Sequence, residues 1–210
     1  MHTTLPPTGI AALTRWGVIR ARGPDGASFL HGQLTSDITG LRPDQVRLAG
    51  FCSAKGRLQA SFVVWRPTPD EVLLACSRSV LPATLKRLSM FVLRAKCKLT
   101  DASDELPLSG AAGSDAADLL GETAPWQRRE HGSLTIVRLP DAAGAPRALV
   151  AGPRTGAPTL DESAWDWLAV QSGVPTIEAA TVEQFVPQML NLELLGGVDF
   201  AKGCYPGQEI

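Results

Sequence analysis

The densest chemistry in the sequence lies in eleven residues near its end: Asp199-Phe200-Ala201-Lys202-Gly203-Cys204-Tyr205-Pro206-Gly207-Gln208-Glu209. Gly203 and Gly207 bracket Cys204 at close range. Glycine permits positive φ and close backbone approach, so a tightly bent loop is expected, with Pro206-Gly207 as the central pair of a type II turn. A thiol on such a loop is presented to solvent rather than packed away. Lys202, two residues distant, would favour the thiolate if its ammonium comes close. Tyr205, Gln208 and Glu209 add a ring, an amide and a carboxylate. By itself the pattern fits a reactive thiol, and it also fits a surface turn with an incidental cysteine, since no histidine lies near in sequence.

The other three cysteines, Cys52, Cys76 and Cys97, stand in apolar, strand-like surroundings. None of the four forms a CxxC pair or sits at zinc-ligand spacing beside a histidine, so no metal site is expected. They read as reduced thiols, mostly buried. The 210 residues are 44% hydrophobic, enough for one large domain or two small ones. With 20 Lys and Arg against 21 Asp and Glu, the net charge is -1. Such a chain has no global basic field, and neither duplex DNA nor a tRNA backbone is expected as its main ligand, although a local basic patch is allowed. Residues 1–13 lack Lys and Arg and hold no long apolar stretch, so no signal peptide is expected there. No run approaches the roughly 20 apolar residues of a membrane span. A cytoplasmic location without membrane or DNA contact is expected. The last residues, Gln208-Glu209-Ile210, directly follow a Gly-, Pro- and Cys-rich run, and the natural protein is expected to continue.

The elements that must position the loop follow from patterning. Trp16 to Ala21 reads as a strand, Gly23-Pro24-Asp25-Gly26 as a turn with Asp25 as N-cap, and Phe29, Leu30 and Leu34 mark a short helix. Val46 to Phe51, Leu58 to Arg66 and Val72 to Cys76 read as strands, the last two joined as a hairpin through Pro67-Thr68-Pro69-Asp70. Leu81, Leu85, Leu88 and Val92 share one helical face, with Ser79 as cap and Pro82 in the first turn. Ala95 to Thr100 returns as a strand. This order suits a ferredoxin-like α+β layer. A second α+β part begins near Leu106. It holds a short strand, a helix over Asp115 to Leu120, strands near Leu134 to Leu139 and Arg147 to Ala151, a loop over Pro140 to Pro146, and a helix over Asp161 to Ser172 broken by Gly173 and Pro175. The division reads as 1–105 and 106–210.

Lys202 to Glu209 spells K-G-C-Y-x-G-Q-E, and in this the chain resembles the YgfZ branch of the glycine-cleavage T-protein superfamily. Phe185-Val186-Pro187-Gln188-Met189-Leu190-Asn191-Leu192 is similar to that family's F-x-P-Q-x-x-N-L. Phe29-Leu30-His31-Gly32-Gln33-Leu34-Thr35-Ser36-Asp37 is similar to its F-L-x-x-Q-x-T-x-D, and Ala54-Lys55-Gly56-Arg57 to its A-K-G-[RK]. The octapeptide is specific to the branch, whereas the N-terminal pieces are shared across the superfamily. The resemblance implies ferredoxin-like α/β layers around a central folate site, with a C-terminal β-barrel expected beyond Ile210. It also implies tetrahydrofolate as cofactor. Trp16 and Trp165 would be the folate-contacting tryptophans. Trp165 is placed by counting back from Gly173 and Pro175, and Trp167 takes that place if the register slips. The alternative for both rings is an ordinary core position. Tyr205, Gln208 and Glu209 join the expected folate site, and Cys204 with Lys202 the reactive one.

The aminomethyltransferases of this superfamily carry a carboxylate on the strand after the glycine matching Gly56, where it could steer protons on the reacting amine. Here that strand reads Leu58-Gln59-Ala60-Ser61-Phe62. Their R-L-E-A-G element is Ala169-Val170-Gln171-Ser172-Gly173 in this chain. Both departures weigh against glycine-cleavage chemistry and leave folate binding possible. The resemblance therefore implies a helper in assembly or repair of [4Fe–4S] proteins, tRNA-modifying radical enzymes among them, rather than a conventional enzyme. Cys204 would be its reactive or iron-contacting group. A folate-dependent one-carbon transferase or aminomethyltransferase is the alternative, and a pure interaction module with an inert Cys204 is the third reading.

Overall fold

The structure, a computed structural model, describes residues 6–208. The chain divides into two compact units, each discontinuous in sequence. One holds Arg15–Ser103 and the segment from Pro175 onward; the other holds the residues up to Thr14 and Asp104–Val174. Each is an antiparallel sheet with two helices, so the expected α+β class holds. The division differs from the expected 1–105 and 106–210. Both ends of the chain cross over through long-range pairing, which no local pattern announces. Strand β1 (Gly9–Ala12) pairs with Leu108–Ala112. The segment after Pro175 is recaptured at Leu58, which donates its N–H to Phe185 O and accepts from Glu183 N–H.

The unit that carries the cysteine loop runs β2 (Trp16–Arg22), α1 (Gly26–Gln33), β3 (Val46–Cys52), β4 (Leu58–Thr68), β5 (Glu71–Ser77), α2 (Leu81–Phe91) and β6 (Lys98–Asp101), with sheet order β3-β4-β5-β2-β6. Alternate strand residues build its core: Ile19 and Ala21, Ala49 and Phe51, Ala60, Phe62 and Val64, Val72, Leu74 and Cys76. Successive strand side chains point to opposite faces, so these define one face of the sheet. Leu30 and Leu34 from the α1 end and Leu81 and Leu88 of α2 close over it. Leu85 packs at the margin and Val92 is the C-cap of α2.

Three local expectations are corrected. Asp25 occupies the N-cap position of α1 but makes no capping bond with its side chain; its carboxylate accepts the Lys96 N–H at 2.7 Å instead. Ser79 does not cap α2, whose N-cap is Val80. The Ser79 hydroxyl pairs with Ser77 and accepts the Ala179 N–H. The returning strand begins at Lys98 and not Ala95, because the backbone at Lys96 is committed to Asp25 and pressed against Gly23, where a Cβ would overlap Lys96 O.

The second unit adds β7 (Leu108–Ala112), α3 (Ser114–Leu120), β8 (Arg128–His131), β9 (Leu134–Ala142), β10 (Ala145–Ala151) and α4 (Glu162–Gln171), with sheet order β1-β7-β10-β9-β8. Helix α3 packs with Ala111, Ile136, Ala148 and Val150, whereas Leu168 of α4 packs with Ala112. Ala111 and Ala112 point oppositely, so the two helices cover opposite faces. The expected loop over Pro140 to Pro146 is in fact the tip of the β9–β10 hairpin. Ala143 and Gly144 both have positive φ, as a two-residue type I′ turn demands, and Pro146 falls at the bulge in the β9–β10 register. The two prolines suggested a break that the bulge absorbs. Replacing fully buried Leu88 with Ala should lower the unfolding free energy by about 2–5 kcal/mol in chemical denaturation.

Candidate functional site

Cys204 stands exposed on its loop, and nothing among the described residues hydrogen-bonds its thiol. The expected turn forms beside it. Gly207 has φ +76°, and the Gln208 N–H donates to Tyr205 O at 3.2 Å, the signature of a type II turn over Pro206-Gly207. The Gln208 side chain reaches back, its Oε1 accepting the Tyr205 N–H at 3.2 Å. Tyr205 is buried, so burial, and after it the neighbouring Cys52, pushes its phenol pKa up. Glu209 lies outside the described residues.

The turn is seated against a second one. Ser53 to Arg57 closes on itself through Gly56 N–H to Ser53 O and Ser53 N–H to Arg57 O. A Cβ on Gly207 would overlap Gly56 N and Ser53 O, and a Cβ on Gly56 would come within 2.6 Å of Gly207 O. The two glycines therefore let the backbones of the A-K-G-R and K-G-C-Y-P-G-Q-E segments touch. The third segment joins through Thr35, which is fully buried. Its hydroxyl accepts the Gly50 N–H at 2.7 Å and donates to Gly197 O at 2.5 Å, and its carbonyl accepts the Asp199 N–H at 3.0 Å. Lys55, Gly56, Val186, Pro187, Gln188, Phe200, Tyr205, Gly207 and Gln208 enclose a small cavity of about 170 Å³ at this junction.

Lys202 interacts electrostatically with Cys204 and is also anchored to backbone. Its ammonium donates to His31 O and Leu34 O, each at 2.5 Å, and so closes the C-terminal end of α1. It also lies 5.5 Å from the centroid of the Tyr205 ring. Burial lowers its pKa; Asp199, Asp37 and Cys204 act in the opposite direction. Around this strut runs a polar network. Asp37 Oδ1 is 2.9 Å from His31 Nδ1 and accepts from Thr39 Oγ1 and Gly40 N, and Arg47 bridges Asp37 at 3.9 Å and Asp199 at 3.7 Å. Burial alone would raise the Asp37 pKa, but the Gly40 N–H, Thr39, Arg47 and His31 outweigh it and hold the carboxyl below its ordinary value. Sequence reasoning missed Arg47, for which no local signal exists. Thr35 and Asp37 stand in a family motif, but their bonds are not legible from it.

The chain is 33% identical over 221 residues to the tRNA-modifying protein YgfZ of Edwardsiella ictaluri, a match covering 97% of this chain and 66% of that relative. It is 31% identical over 221 residues to the protein of that name from Escherichia fergusonii, covering 97% and 67%. The chain belongs to the YgfZ family. It spans about two thirds of the length of these relatives. No protein-family model matches it. The glycine cleavage system aminomethyltransferase T of Bartonella henselae superposes with a TM-score of 0.61 at 19% identity over 70% of this chain and 42% of that one, which shows a shared fold.

The two tryptophans singled out in YgfZ terms differ in setting. Trp16 is half-buried at the start of β2, opposite Ser77 of β5. Trp165 is 1% exposed. The guanidinium of Arg147 lies 4.5 Å from the centroid of its ring, and Gly110 leaves no room for a Cβ against the indole. Trp165 therefore packs in the core of its unit, whereas Trp167 is exposed. A cavity of about 590 Å³ in the cysteine-bearing unit lies beside α2, lined by Gln59, Ser79, Val80, Ala83, Thr84, Arg87, Ala179 and Val182. Trp16 faces Ser77, two residues ahead of Ser79 in that lining.

Among the four thiols, burial pushes Cys52 and Cys76 up to about 12, with Asp101 a lesser contributor at Cys76. Burial, and after it Asp25, raises half-buried Cys97. Limited iodoacetamide labelling of the native protein should therefore modify Cys204 first, checked by peptide mass mapping. Equal rates at all four would contradict the exposed-loop geometry. Thr35→Val would leave the Gly50 N–H and Gly197 O unpaired in the interior, at about 1–3 kcal/mol for each group, measurable by denaturant titration.

Proposed function

We propose that this protein is a tetrahydrofolate-binding helper in the assembly or repair of [4Fe–4S] proteins, with tRNA-modifying enzymes among its clients and the cytoplasm as its compartment. The observation that carries the reading is the convergence of the other three family segments on the loop that holds Cys204 out to solvent. Thr35, Gly56 and Gly207 use close packing and buried hydrogen bonds to hold a loop whose cysteine is exposed. That is the economy of a presented reactive group, and a thiol can attack an electrophile or ligate an iron of a client's cluster.

The cavity beside α2 fits the folate. Its volume is in the range of small-molecule sites. Val80, Ala83, Ala179 and Val182 offer apolar surface to a flat ring, Gln59 and Thr84 offer hydrogen-bonding groups, and Arg87 offers a cation to an anionic tail. Gln59 stands on the strand where the aminomethyltransferases have their carboxylate. Its amide Nε2 donates to Glu183 Oε1 at 3.0 Å, and an amide cannot take a proton from an amine. This favours binding over aminomethyl transfer. When bound, the folate would supply a one-carbon carrier; the chain's own residues hold and orient it.

Tetrahydrofolate should quench tryptophan fluorescence of the full-length protein. Trp16→Ala should weaken binding by about 1–3 kcal/mol if the ring stacks on the ligand. Trp165→Ala should act first on stability, by about 3–5 kcal/mol. Cys204→Ala in a deletion strain should fail to restore the activity of a [4Fe–4S] enzyme while binding folate normally. Full restoration would leave an interaction module as the reading.

A further inference from the structure

The net charge of -1 conceals a segregation. Between Glu71 and Asp101 the sequence holds six cations (Arg78, Lys86, Arg87, Arg94, Lys96, Lys98) and no Asp or Glu. From the whole-chain totals of 20 and 21, this leaves 14 basic residues against 21 acidic ones everywhere else. Five of the six are exposed: Lys86 and Arg87 on α2, Arg94 and Lys96 in the turn that follows, and Lys98 at the start of β6. No carboxylate among the described residues pairs with any of them. The acids that border the segment are engaged elsewhere: Asp25 with the Lys96 N–H, Glu71 with Arg20 and Arg22, Asp101 with Ser103.

Apolar groups are interleaved with the cations. Met90 is 59% exposed, Phe91 40% and Leu93 86%. The Arg87 guanidinium lies 5.1 Å from the centroid of the Phe91 ring, making an exposed arginine–aromatic stack. The turn that presents Leu93 to Lys96 is fixed, because Asp25 holds the Lys96 N–H and Gly23 admits the Lys96 carbonyl at close range. Helix-dipole complementation does not account for the charges. It fades within the last turn, whereas Lys86 sits mid-helix and Lys98 on β6.

We propose that this face is a docking surface for a single-stranded or looped segment of RNA. The cations match its phosphates, and Phe91 with Arg87, flanked by Met90 and Leu93, matches its unstacked bases. A duplex would offer phosphates only, and leave the apolar groups without partners. Splayed, accessible bases are a feature of RNA loops. The surface goes beyond the folate reading and stands without it, although Arg87 is shared with the cavity beside α2.

The test is fluorescence anisotropy of the full-length protein with a labelled 15-nucleotide oligouridylate, titrated against salt. With four or five phosphates neutralised, log K against log salt should fall with a slope of about −3. The triple variant Arg94→Glu, Lys96→Glu, Lys98→Glu should bind roughly tenfold more weakly or worse, with a shallower slope. Phe91→Ala should lose about tenfold with the slope unchanged. Both variants should keep the wild-type thermal midpoint and the folate response, which separates this surface from the folate site. The proposal is overturned if the oligouridylate does not bind at low salt, if charge reversal leaves binding intact, or if a duplex of equal length binds as tightly. It is also overturned if vesicles containing anionic phospholipid bind the same face at least as well, or if Leu93→Cys resists labelling in the full-length protein and so proves covered.

Discussion

Gly56 and Gly207 hold left-handed backbone conformations and press together so closely that neither tolerates a Cβ. The contact joins main chain to main chain, about 150 residues apart in sequence, with no side chain between. Its directionality comes from neighbours. Gly56 N–H is used within its own turn and Gln208 N–H within the other, so each turn is closed before the two meet. Two pre-closed turns stacked backbone on backbone leave little slack, and the stretch from Lys202 to Tyr205 inherits that rigidity at one end.

The other end is fixed by different chemistry. Thr35 lies fully buried where α1 gives way to β3, and a single hydroxyl both donates and accepts there. Serine could offer the same bonds, but the threonine methyl contributes to the packing, with Cγ2 close to Gly50. Lys202 then ties the loop to the end of α1. A desolvated ammonium is costly unless it finds acceptors, and the unpaired carbonyls at a helix C-terminus are acceptors that carry partial negative charge. The signature lysine thus satisfies a helix end and a loop in one contact. Cys204 follows two residues later and is exposed.

The sequence made much of this legible, for reasons that can be specified. The strands expected at Trp16 to Ala21, Val46 to Phe51, Leu58 to Arg66 and Val72 to Cys76 and the helix around Leu81 to Leu88 are local patterns, and each lies within an observed element. The Pro206-Gly207 turn was legible because its chemistry is contained in four residues. Pairing across a hundred residues was not. Nothing around Gly9 announces Ala112 as its partner, and nothing in Phe185 announces Leu58. The caps failed for a related reason. Asp25 and Ser79 were assigned to the nearest helix, whereas each bonds a backbone N–H supplied from much further along the chain. Polar side chains are promiscuous in partner choice, and sequence proximity is a poor guide once tertiary donors compete.

Arg147 shows the same competition in the other unit. The side chain is almost wholly buried, and no carboxylate among the described residues pairs with it. Burial lowers its pKa to about 10, so it remains charged at neutral pH. A buried cation without a counter-ion is ordinarily untenable. Here the charge is spread over three weaker partners: Leu168 O at 3.2 Å, the Ser172 hydroxyl at 2.5 Å, and the face of Trp165. The first two stand at the C-terminal end of α4, where the helix carries its partial negative charge. Ser172 Oγ also donates to Ala169 O at 2.7 Å, which passes the interaction to a further carbonyl. Lysine could not substitute, because its compact ammonium cannot bond the helix end and lie flat on an indole together. The guanidinium on one face and the bare backbone of Gly110 beside the ring also fix Trp165 more firmly than packing alone would. Within its own unit, Trp165 is thus one of the partners that make a buried arginine tolerable.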